Sequence, residues 1–431
     1  MTSEGVSVRF VDGGRLAVDG CVVEEALARF GTPLYLYSER TLLANLRRIS
    51  GAVAYPQTRF YYAMVANRGW PLLCAIAREG WRFHFNAPLE VEVLKRALER
   101  DGGFSAEEIR EVVAGSVFSG GSISRDQMLG LVRDGVFVHL TACDQVAVYG
   151  ELAGADSLRE VGLRVQFDEN MQRARQGVTM AEIPRAVELA REQGLAITSV
   201  HMYRGTGTES AEAFAAPFGG FAEIAKQFPD LRHVDIGGGF GYDYLTRGAR
   251  FDWDSLAASA ERLMEQLNAA FGRTLTLRLE IGRAVVASAG IFATRVLSRK
   301  PGFADAEVIL GVDASSMSVR ASAPSVVGKR HHYLLHARRP GEANGEHYTL
   351  VGPTTYTSDY LAKRVEVAGR GESGVQPGDS VVVLDCGAYG AVIHSEFLTT
   401  PRPAEVLVTA GGEFVEVARR MGVEQVTMHW A

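Results

Sequence analysis

The stretch that decides the fold is His233-Val234-Asp235-Ile236-Gly237-Gly238-Gly239-Phe240, a short apolar run that ends in three glycines. Apolar runs of this kind, rich in β-branched and aromatic residues, alternate with amphipathic helical segments between residues 39 and 285. Eight such runs predict a (β/α)8 barrel of the TIM type, which usually takes about 250 residues. The predicted strands are Arg59–Val65, Trp81–Asn86, Glu111–Phe118, Val136–Thr141, Gly162–Phe167, Ala196–Tyr203, His233–Ile236 and Leu275–Ile281.

Helical segments lie between these strands, with apolar residues spaced three and four positions apart. The predicted helices include Pro71–Glu79, Leu89–Arg100, Ala181–Gln193, Ala211–Gln227 and Trp253–Phe271. In such barrels the chemistry takes place at the carboxyl ends of the strands. The unusual residues of this sequence stand at those ends, which makes them the candidates for function.

The last third of the chain has a different pattern. Strand-like segments are separated by glycine- and proline-rich turns, and few helical segments occur, so this part predicts an all-β domain. Its predicted strands are Gly290–Ser298, Glu307–Val312, His347–Val351, Ser380–Leu384 and Glu405–Thr409, and the N-terminal Val6–Val23 is expected to join them. The expected organisation is residues 1–38 with the β domain, 39–288 as the barrel and 289–431 as the β domain.

Composition excludes several classes of protein. Of the 431 residues, 47% are hydrophobic and 22% are charged, and a net charge of −6 does not favour nucleic acid as a partner. The four cysteines form no CxxC pair, which favours a reducing compartment. The N-terminus carries no signal-peptide pattern, and no apolar run approaches the roughly 20 residues of a membrane span. A cytoplasmic protein that contacts no membrane is expected.

Two motifs stand at the ends of the last two predicted barrel strands, where a binding site is expected. The glycines Gly237, Gly238 and Gly239 let backbone amides approach an anion, as in phosphate sites, although a tight barrel turn also explains them. Glu280 and Arg283 stand where the last predicted strand ends. They are suited to hold a protonated ring nitrogen and an anionic group in one pocket, or they form a surface ion pair.

These motifs, in this order, resemble the fold-type III pyridoxal phosphate (PLP) decarboxylases, which share the alanine racemase and ornithine decarboxylase fold. The resemblance begins at Gly31-Thr32-Pro33-Leu34-Tyr35-Leu36-Tyr37 and covers nearly the whole chain. It implies that Gly237–Gly239 bind the cofactor phosphate and that Glu280 pairs with the pyridine nitrogen. It also implies that Arg283 binds phosphate or substrate.

Later motifs extend the resemblance. Asp385-Cys386-Gly387-Ala388-Tyr389-Gly390-Ala391 is similar to an element whose tyrosine, here Tyr389, contacts the phosphate. Arg320 stands where diaminopimelate decarboxylases keep a substrate-binding arginine. Gly352–Asp359 is similar to a segment that reaches into the neighbouring subunit's site. The resemblance therefore implies a head-to-tail homodimer, with Thr355 and Asp359 acting across the interface.

The sequence departs from this family at the catalytic lysine. The family's first strand reads Tyr-Ala-x-Lys-Ala-Asn, whereas this chain reads Tyr62-Ala63-Met64-Val65-Ala66-Asn67. Val65 has no amine, so it cannot form the family's Schiff base with the cofactor. The other lysines are Lys95, Lys226, Lys300, Lys329 and Lys363, and solvated surface positions are expected for them. The alternative is that Lys329 or Lys363, in segments of the β domain that approach the active site in the family, replaces the missing amine.

Further departures surround the same pocket. His84 and Ala87 alter the Phe-Asp-x-x-Ser element of strand two, and Tyr203-Arg204-Gly205-Thr206 replaces His-x-Gly-Ser. Thr355 replaces the family's cysteine, and a hydroxyl is far less acidic than a thiol. His84 and Tyr203 are the candidate bases, and Arg204, Arg283 and Arg320 are candidates for binding a substrate carboxylate. The adjacent His331 and His332 would point to opposite faces of a strand, and no third ligand stands at a spacing typical of metal sites. No metal is therefore expected.

Three functional hypotheses follow. In the first, PLP binds noncovalently and a small amino acid or amine reacts at its free aldehyde, in decarboxylase-like chemistry. In the second, the pocket holds another ligand and runs PLP-independent chemistry, for example in specialised biosynthesis. In the third, the chain is a catalytically dead paralogue that regulates an active decarboxylase. Retention of Glu280, Arg283, Tyr389 and the glycine triplet favours a ligand-binding pocket.

Overall fold

The computed structural model describes residues 8–154, 157–166, 176–208, 210–248, 251–319 and 331–430. Arg320 and Lys329 therefore lie outside the described residues. Contacts divide the described chain into two compact units. One, here called the β unit, comprises the described parts of Met1–Asn45, Asp243–Ala249 and Val285–Ala431. The other, the barrel unit, comprises the described parts of Leu46–Tyr242 and Arg250–Ala284.

The chain begins with a small antiparallel sheet of three strands. Its strands are β1 Val8–Val11, β2 Arg15–Val18 and β3 Cys21–Val22, and the elements that follow are α1 Val23–Phe30, β4 Leu34–Ser38 and α2 Glu39–Ala52. Leu16 and Val18 of β2 pack into the same buried cluster as Leu34 and Leu36 of β4. The N-terminal strands thus form a sheet of their own and share a hydrophobic core with the large sheet of the β unit.

Eight parallel strands close into a barrel. They are β5 Thr58–Ala63, β6 Arg82–Phe85, β7 Val117–Phe118, β8 Phe137–Leu140, β9 Glu160–Gln166, β11 Ala196–His201, β12 His233–Asp235 and β13 Thr276–Ile281, while β10 Val178–Thr179 pairs only with β9. The ring closes because β13 pairs with β5 and β8 pairs with β9. Tyr61, Val117 and Phe137 pack together inside it.

The helices of the barrel unit follow their strands. They are α3 Trp70–Arg78, α4 Leu89–Asp101, α5 Ala106–Ala114, α6 Arg125–Arg133, α7 Cys143–Leu152, α8 Ile183–Glu192, α9 Ala211–Ala215, α10 Phe218–Ala225 and α11 Trp253–Phe271. Helices α5 and α6 begin at reciprocal capping boxes, Ser105 with Glu108 and Ser124 with Gln127, which satisfy free amides of the first turn.

The remaining strands form the large sheet of the β unit, together with β4. They are β14 Gly290–Pro301, β15 Glu307–Val312, β16 Tyr333–Leu335, β17 His347–Val351, β18 Tyr360–Val365, β19 Val367–Ala368, β20 Ser380–Val383, β21 Ala404–Val408 and β22 Phe414–Ala418. The short helices are α12 Arg283–Val286 and α13 Val423–Thr427. No helix within the described ranges has both the length and the apolar character needed to cross a membrane.

The predicted (β/α)8 barrel with a second, largely β, domain is confirmed. Two local predictions were wrong. Residues 111–114, placed at the start of the predicted strand Glu111–Phe118, belong to helix α5, because Ser105 caps a segment with helical apolar spacing. The helix predicted over Ala211–Gln227 is two helices, since Pro217 lacks the amide that a continuous helix needs.

Candidate active site

An imidazole–carboxylate cluster fills the barrel interior. Its members are His84 on β6, His139 on β8, His201 on β11, Asp235 on β12 and Glu280 on β13, and all five are buried. Parallel register places His201 beside Asp235. Each strand contributes one polar side chain to a space that apolar side chains usually fill in such barrels. Polar groups buried at this density are expected at a functional site rather than in a purely structural core.

Glu280 is held through one of its two carboxylate oxygens. Its Oε2 lies 3.2 Å from His201 Nε2 and 3.5 Å from His84 Nε2. Its Oε1 is buried and has no hydrogen-bond partner among the described residues. Burial raises the pKa of Glu280, and the nearby His84, Arg164 and Arg278 oppose that rise. One oxygen of this carboxylate therefore remains available for a ligand.

Asp235 forms a second carboxylate centre. Its Oδ1 accepts a hydrogen bond of 2.9 Å from the amide of Gly237, and its Oδ2 lies 3.7 Å from His139 Nε2. Burial and the negative charge of Glu280 raise the pKa of Asp235. His139 itself fits only because its neighbour on β9 is a glycine: a Cβ on Gly162 would lie 2.1 Å from the imidazole Cδ2.

The three imidazoles of the cluster are neutral near pH 7. Burial lowers the pKa of His84 and of His201 to about 4, and it lowers the pKa of His139 well below its ordinary value. In each ring Nε2 faces a carboxylate or hydroxyl, whereas Nδ1 has no hydrogen-bond partner within the described chain. Since a buried N–H without an acceptor costs more than a buried lone pair with no donor, the proton belongs on Nε2.

Two guanidinium groups lie near this cluster. Arg278 is buried on β13, over the ring of Phe137 at 4.4 Å, and its charge lowers the pKa of Asp235 and Glu280. Arg164 on β9 lies over the ring of Tyr203 at 5.0 Å and also lowers the pKa of Glu280. The two positive charges balance the two carboxylates, so the barrel interior is close to neutral.

The glycine triplet is a turn without space for side chains. A Cβ on Gly237 would lie 2.1 Å from the Met202 carbonyl oxygen, and one on Gly238 would lie 2.4 Å from the Glu280 carbonyl oxygen. A Cβ on Gly239 would lie 1.8 Å from the Gly205 carbonyl oxygen. The backbone thus runs directly against the loop after β11 and against the end of β13, and this close approach is what an amide cradle for an anion requires.

Val65, which the resemblance places at the family's lysine position, lies on an open turn. Strand β5 ends at Ala63 rather than at Val65 as predicted, and residues Met64–Ala66 form a 3₁₀ turn. Val65 lies on this turn and is 38% exposed, although its neighbours Met64 and Ala66 are fully buried. An apolar side chain exposed here presents no nucleophile.

The described lysines do not replace the missing amine within the barrel unit. Lys95 on α4 pairs with Glu92 and Asp134, and Lys226, next to α10, pairs with Glu223. Both lysines lie on or next to helices rather than at strand ends. In the β unit, Lys300 and Lys363 are exposed, and Lys363 lies over the ring of Tyr360.

The loop after β11 carries two further predicted residues. The Tyr203 hydroxyl lies 2.7 Å from Thr206 Oγ1, and the ring is half-buried. Arg204 donates from Nε to the Ala213 carbonyl oxygen. Arg283 is buried and begins helix α12. Tyr203 and Arg204 thus lie on one loop that packs against the glycine turn through the hydrogen bonds from Gly207 and Thr208 to the Gly239 carbonyl oxygen.

The remaining predicted residues belong to the β unit. Tyr389 is half-buried, in a left-handed conformation with φ of 55°. Thr355 is exposed and lines a cavity of about 390 Å³. Asp359 is buried, and its carboxylate accepts hydrogen bonds from the Ser316 amide and the hydroxyls of Ser315 and Thr354. Asp359 therefore fixes the backbone of the segment that carries Thr355.

One group within the cluster offers metal-type ligands. Ligand atoms of His139, Asp235 and Glu280 all lie within 4.8 Å of one another. A divalent cation would add its charge to a site where Arg164 and Arg278 already balance the two carboxylates. This charge balance does not favour a metal ion at the cluster, and the expectation that the protein binds no metal stays a prediction.

Sequence reasoning missed part of the cluster. His139, His201, Asp235, Arg164 and Arg278 were given no role, although each interrupts an apolar strand with a polar side chain. A polar residue in a strand that must be buried on both faces is the signal that would have found them.

The comparisons with known proteins give the family. Residues 40–287 match the family model described as "Pyridoxal-dependent decarboxylase, pyridoxal binding domain". This match covers more than half of the chain. The chain belongs to the pyridoxal-dependent decarboxylase family. Its barrel and β domain are those of the family, as the resemblance implied.

Individual relatives extend the match over both units. The diaminopimelate decarboxylase of Pseudomonas fluorescens is 28% identical over 436 residues, with 96% of each chain covered. The L-glutamyl-[BtrI acyl-carrier protein] decarboxylase of Niallia circulans is 26% identical, covering 94% of this chain and 95% of that protein. The crystal structure of diaminopimelate decarboxylase from M. jannaschii in complex with L-lysine superposes on this chain with a TM-score of 0.87 at 19% sequence identity. The superposition covers 100% of this chain and 99% of that one.

The family's cofactor fits the barrel site, except for its covalent bond. Glu280 Oε1, buried and without a partner in the described ranges, is suited to a protonated pyridine nitrogen. The glycine turn, in which a Cβ would clash at each position, is suited to a phosphate. Val65 supplies no amine for a Schiff base. The residues therefore fit pyridoxal phosphate held without a bond to the position of the lost lysine.

Substitution of the middle glycine is expected to damage the turn. Gly238→Ala would place a Cβ 2.4 Å from the backbone of Glu280, so the free energy of unfolding should fall by about 1–3 kcal/mol. Gly219→Ala in α10 is the control, because its Cβ would meet nothing within 4 Å and alanine favours a helix. Urea unfolding measures both, and equal stability of the two variants would contradict the packing described for the turn.

Acidification is expected to destabilise the fold. Burial lowers the pKa of His84 and of His201 to about 4 and that of His233 to about 3. It also lowers the pKa of His139. Their unfolded forms bind protons below pH 6.5 while the folded forms do not, so each costs up to about 1.4 kcal/mol per pH unit as pH falls towards 4.

The two carboxyl groups act in the opposite direction. The pKa values of Asp235 and Glu280 are raised in the folded state, so their protonation on acidification favours folding. Four imidazoles outnumber two carboxyl groups, and a net loss is therefore expected between pH 6.5 and about 4. Urea unfolding at a series of pH values measures it, and a free energy that stays constant or rises would show that the imidazoles are charged when folded.

Proposed function

We propose that this protein is a divergent amino-acid decarboxylase-type enzyme that holds pyridoxal phosphate noncovalently. The observation that carries the proposal is the contrast between Val65 and Glu280. Val65, on the turn after the first barrel strand, has an exposed side chain without an amine, whereas Glu280 keeps a buried carboxylate oxygen available. A chain that had lost its ligand would have no physical reason to bury a carboxylate oxygen that has no hydrogen-bond partner among the described residues, because such burial costs stability.

Each part of the barrel site has a distinct task in this proposal. The amides of Gly237–Gly239 bind the phosphate, and Glu280 Oε1 holds the proton on the pyridine nitrogen. When bound, the cofactor acts as an electron sink for a bond that breaks at the α-carbon of an amino acid. Arg204, Arg283 and Arg320 are the candidates for the substrate carboxylate, since guanidinium groups bind carboxylates through two hydrogen bonds.

Proton transfer is assigned to two side chains. Tyr203 presents a hydroxyl bonded to Thr206 Oγ1, on the loop against the glycine turn. His84 carries a proton on Nε2 beside Glu280. Neither restores the amine of a lysine, so substrate has to enter, and product has to leave, without exchange through a side-chain amine. Slow turnover is the expected consequence.

The relatives guide the choice of substrates. The P. fluorescens protein is named for diaminopimelate, the M. jannaschii structure contains L-lysine, and the N. circulans protein acts on a glutamyl group carried by an acyl-carrier protein. A first panel therefore contains diaminopimelate, lysine and glutamate, with glutamate both free and bound to a carrier protein. Release of CO₂ is the readout.

We also propose a head-to-tail homodimer. Thr355 is exposed at the edge of a cavity, and the buried Asp359 fixes its segment with three hydrogen bonds. A rigid, exposed segment is suited to enter a site of a second copy. Mixing two inactive variants, Thr355→Tyr and Glu280→Gln, should restore part of the activity if the site is shared, and no restoration would count against it.

A second candidate function is PLP-independent enzymology in the same barrel. The imidazole–carboxylate cluster favours it, because neutral imidazoles beside carboxyl groups of raised pKa supply proton donors and acceptors without a cofactor. A regulatory paralogue without catalysis is the third possibility. Failure to bind PLP would eliminate the first proposal and leave these two.

Spectroscopy tests the cofactor proposal directly. Purified protein mixed with PLP is expected to show a band at about 390 nm, typical of the free aldehyde, and borohydride should leave the intact protein mass unchanged. A band at about 420 nm with a covalent gain in mass would show that another lysine has replaced Val65. Absence of any binding would contradict the proposal altogether.

Restoring the lysine is the complementary prediction. Val65→Lys places an amine at the exposed end of the first strand, so PLP should become bound covalently and borohydride should fix its mass to the chain. Val423→Lys is the control, because Val423 is also exposed but lies on α13 of the β unit. If both variants gained the same adduct, or neither did, position 65 would not be at the aldehyde.

A further inference from the structure

His84 lies between a serine hydroxyl and the Glu280 carboxylate. Its Nε2 lies 2.6 Å from Ser119 Oγ and 3.5 Å from Glu280 Oε2. Its Nδ1 is buried and makes no hydrogen bond to any described residue. The ring therefore directs a single nitrogen towards both a hydroxyl and the carboxylate.

This geometry is not that of a nucleophilic triad. In a triad the hydroxyl contacts one ring nitrogen and the acid contacts the other, so that the imidazole passes a proton between them. Here Ser119 and Glu280 both face Nε2. Ser119 is not activated as a nucleophile, and the arrangement serves Glu280 instead.

The proton on Nε2 determines what His84 does to Glu280. With Nε2 as the donor, Ser119 accepts the short hydrogen bond, and the positive end of the imidazole dipole lies beside Glu280 Oε2. His201 donates to the same oxygen at 3.2 Å. Both imidazoles thus act on Oε2, and Oε1 is the oxygen left without a partner in the described part of the chain.

We propose that His84 is a positioning residue, which helps to fix the Glu280 carboxylate through Oε2 and leaves Oε1 to face the ligand. The inference deepens the proposed function, and it rests on that function only for the identity of the ligand. The orientation and charge of Glu280 are properties of this chain by itself. His201 shares the task from the neighbouring side of the barrel.

The charges around Glu280 support this role. Burial raises the pKa of Glu280, and the nearby His84, Arg164 and Arg278 oppose that rise; the neutral His84 does so through the dipole of its Nε2–H bond. Asp235 and Glu280 repel one another, and His201 favours the ionised form of Asp235. His139, which faces Asp235 at 3.7 Å, is neutral because burial lowers its pKa. Removing His84 therefore removes one of the two imidazoles beside Glu280 Oε2 and leaves His201 at 3.2 Å as the other.

The test compares His84→Leu with His84→Gln. Leucine cannot donate a hydrogen bond, whereas the glutamine amide reaches roughly the position of Nε2 and can donate from it. The pKa of Glu280 is measured by carbon NMR of protein labelled at the glutamate carboxyl carbons, with Glu280→Gln identifying its signal. In His84→Leu the midpoint should rise by about one pH unit, and in His84→Gln it should return most of the way.

Two further readouts separate positioning from general support of the fold. Nitrogen NMR of labelled histidine should show His84 in the Nε2–H form. PLP should bind about tenfold more weakly to His84→Leu than to the wild-type protein, with His84→Gln intermediate, as loss of a hydrogen bond near a charge predicts. His429→Leu, at an exposed position of the β unit, is the control and should change neither quantity.

The outcomes also distinguish this inference from the proposed function. An unchanged Glu280 midpoint in His84→Leu, or a proton found on Nδ1, would overturn the positioning role even if PLP binds. A shifted midpoint in a protein that binds no PLP would support the positioning role and contradict the proposed cofactor. A fall in thermal stability in His84→Leu with an unchanged midpoint would show that His84 acts only in packing.

Discussion

The interior of the barrel depends on the burial of two carboxylates within one closed ring of parallel strands. Asp235 and Glu280 repel each other and are both removed from water, so each needs compensation from neighbouring strands. Neutral imidazoles, a backbone amide of the glycine turn and two guanidinium groups provide it. This requirement explains why polar side chains stand on five strands where apolar ones usually pack.

The architecture was predictable because it rests on periodicity. Helix α11 was predicted at its observed bounds, and strands β15 and β17 were predicted at theirs, since each is bounded by clear turn or capping residues. The failures were local. Val112 and Val113 gave residues 111–118 a strand-like character, whereas the reciprocal cap at Ser105 and the apolar spacing that follows it identify residues 106–114 as helix.

The site was predictable only in part. Motif order identified Glu280 and the glycine turn, because a turn at a strand end is visible in a linear sequence. The convergence of His139 from β8 with Asp235 from β12 depends on closure of the barrel and on its stagger, which no local pattern contains. Likewise the sequence predicted an altered base at His84, while its contact with Glu280 required the fold.

Gly162 has a consequence for how this pocket can change. An imidazole at position 139 is compatible only with a residue at 162 that has no Cβ, because the ring occupies that volume. The two positions are therefore coupled, although they lie on different strands. A library that varies one of them alone would sample mostly overpacked barrels, whereas paired variation, with a small residue at 139 whenever 162 is enlarged, would reach new interior shapes without that penalty.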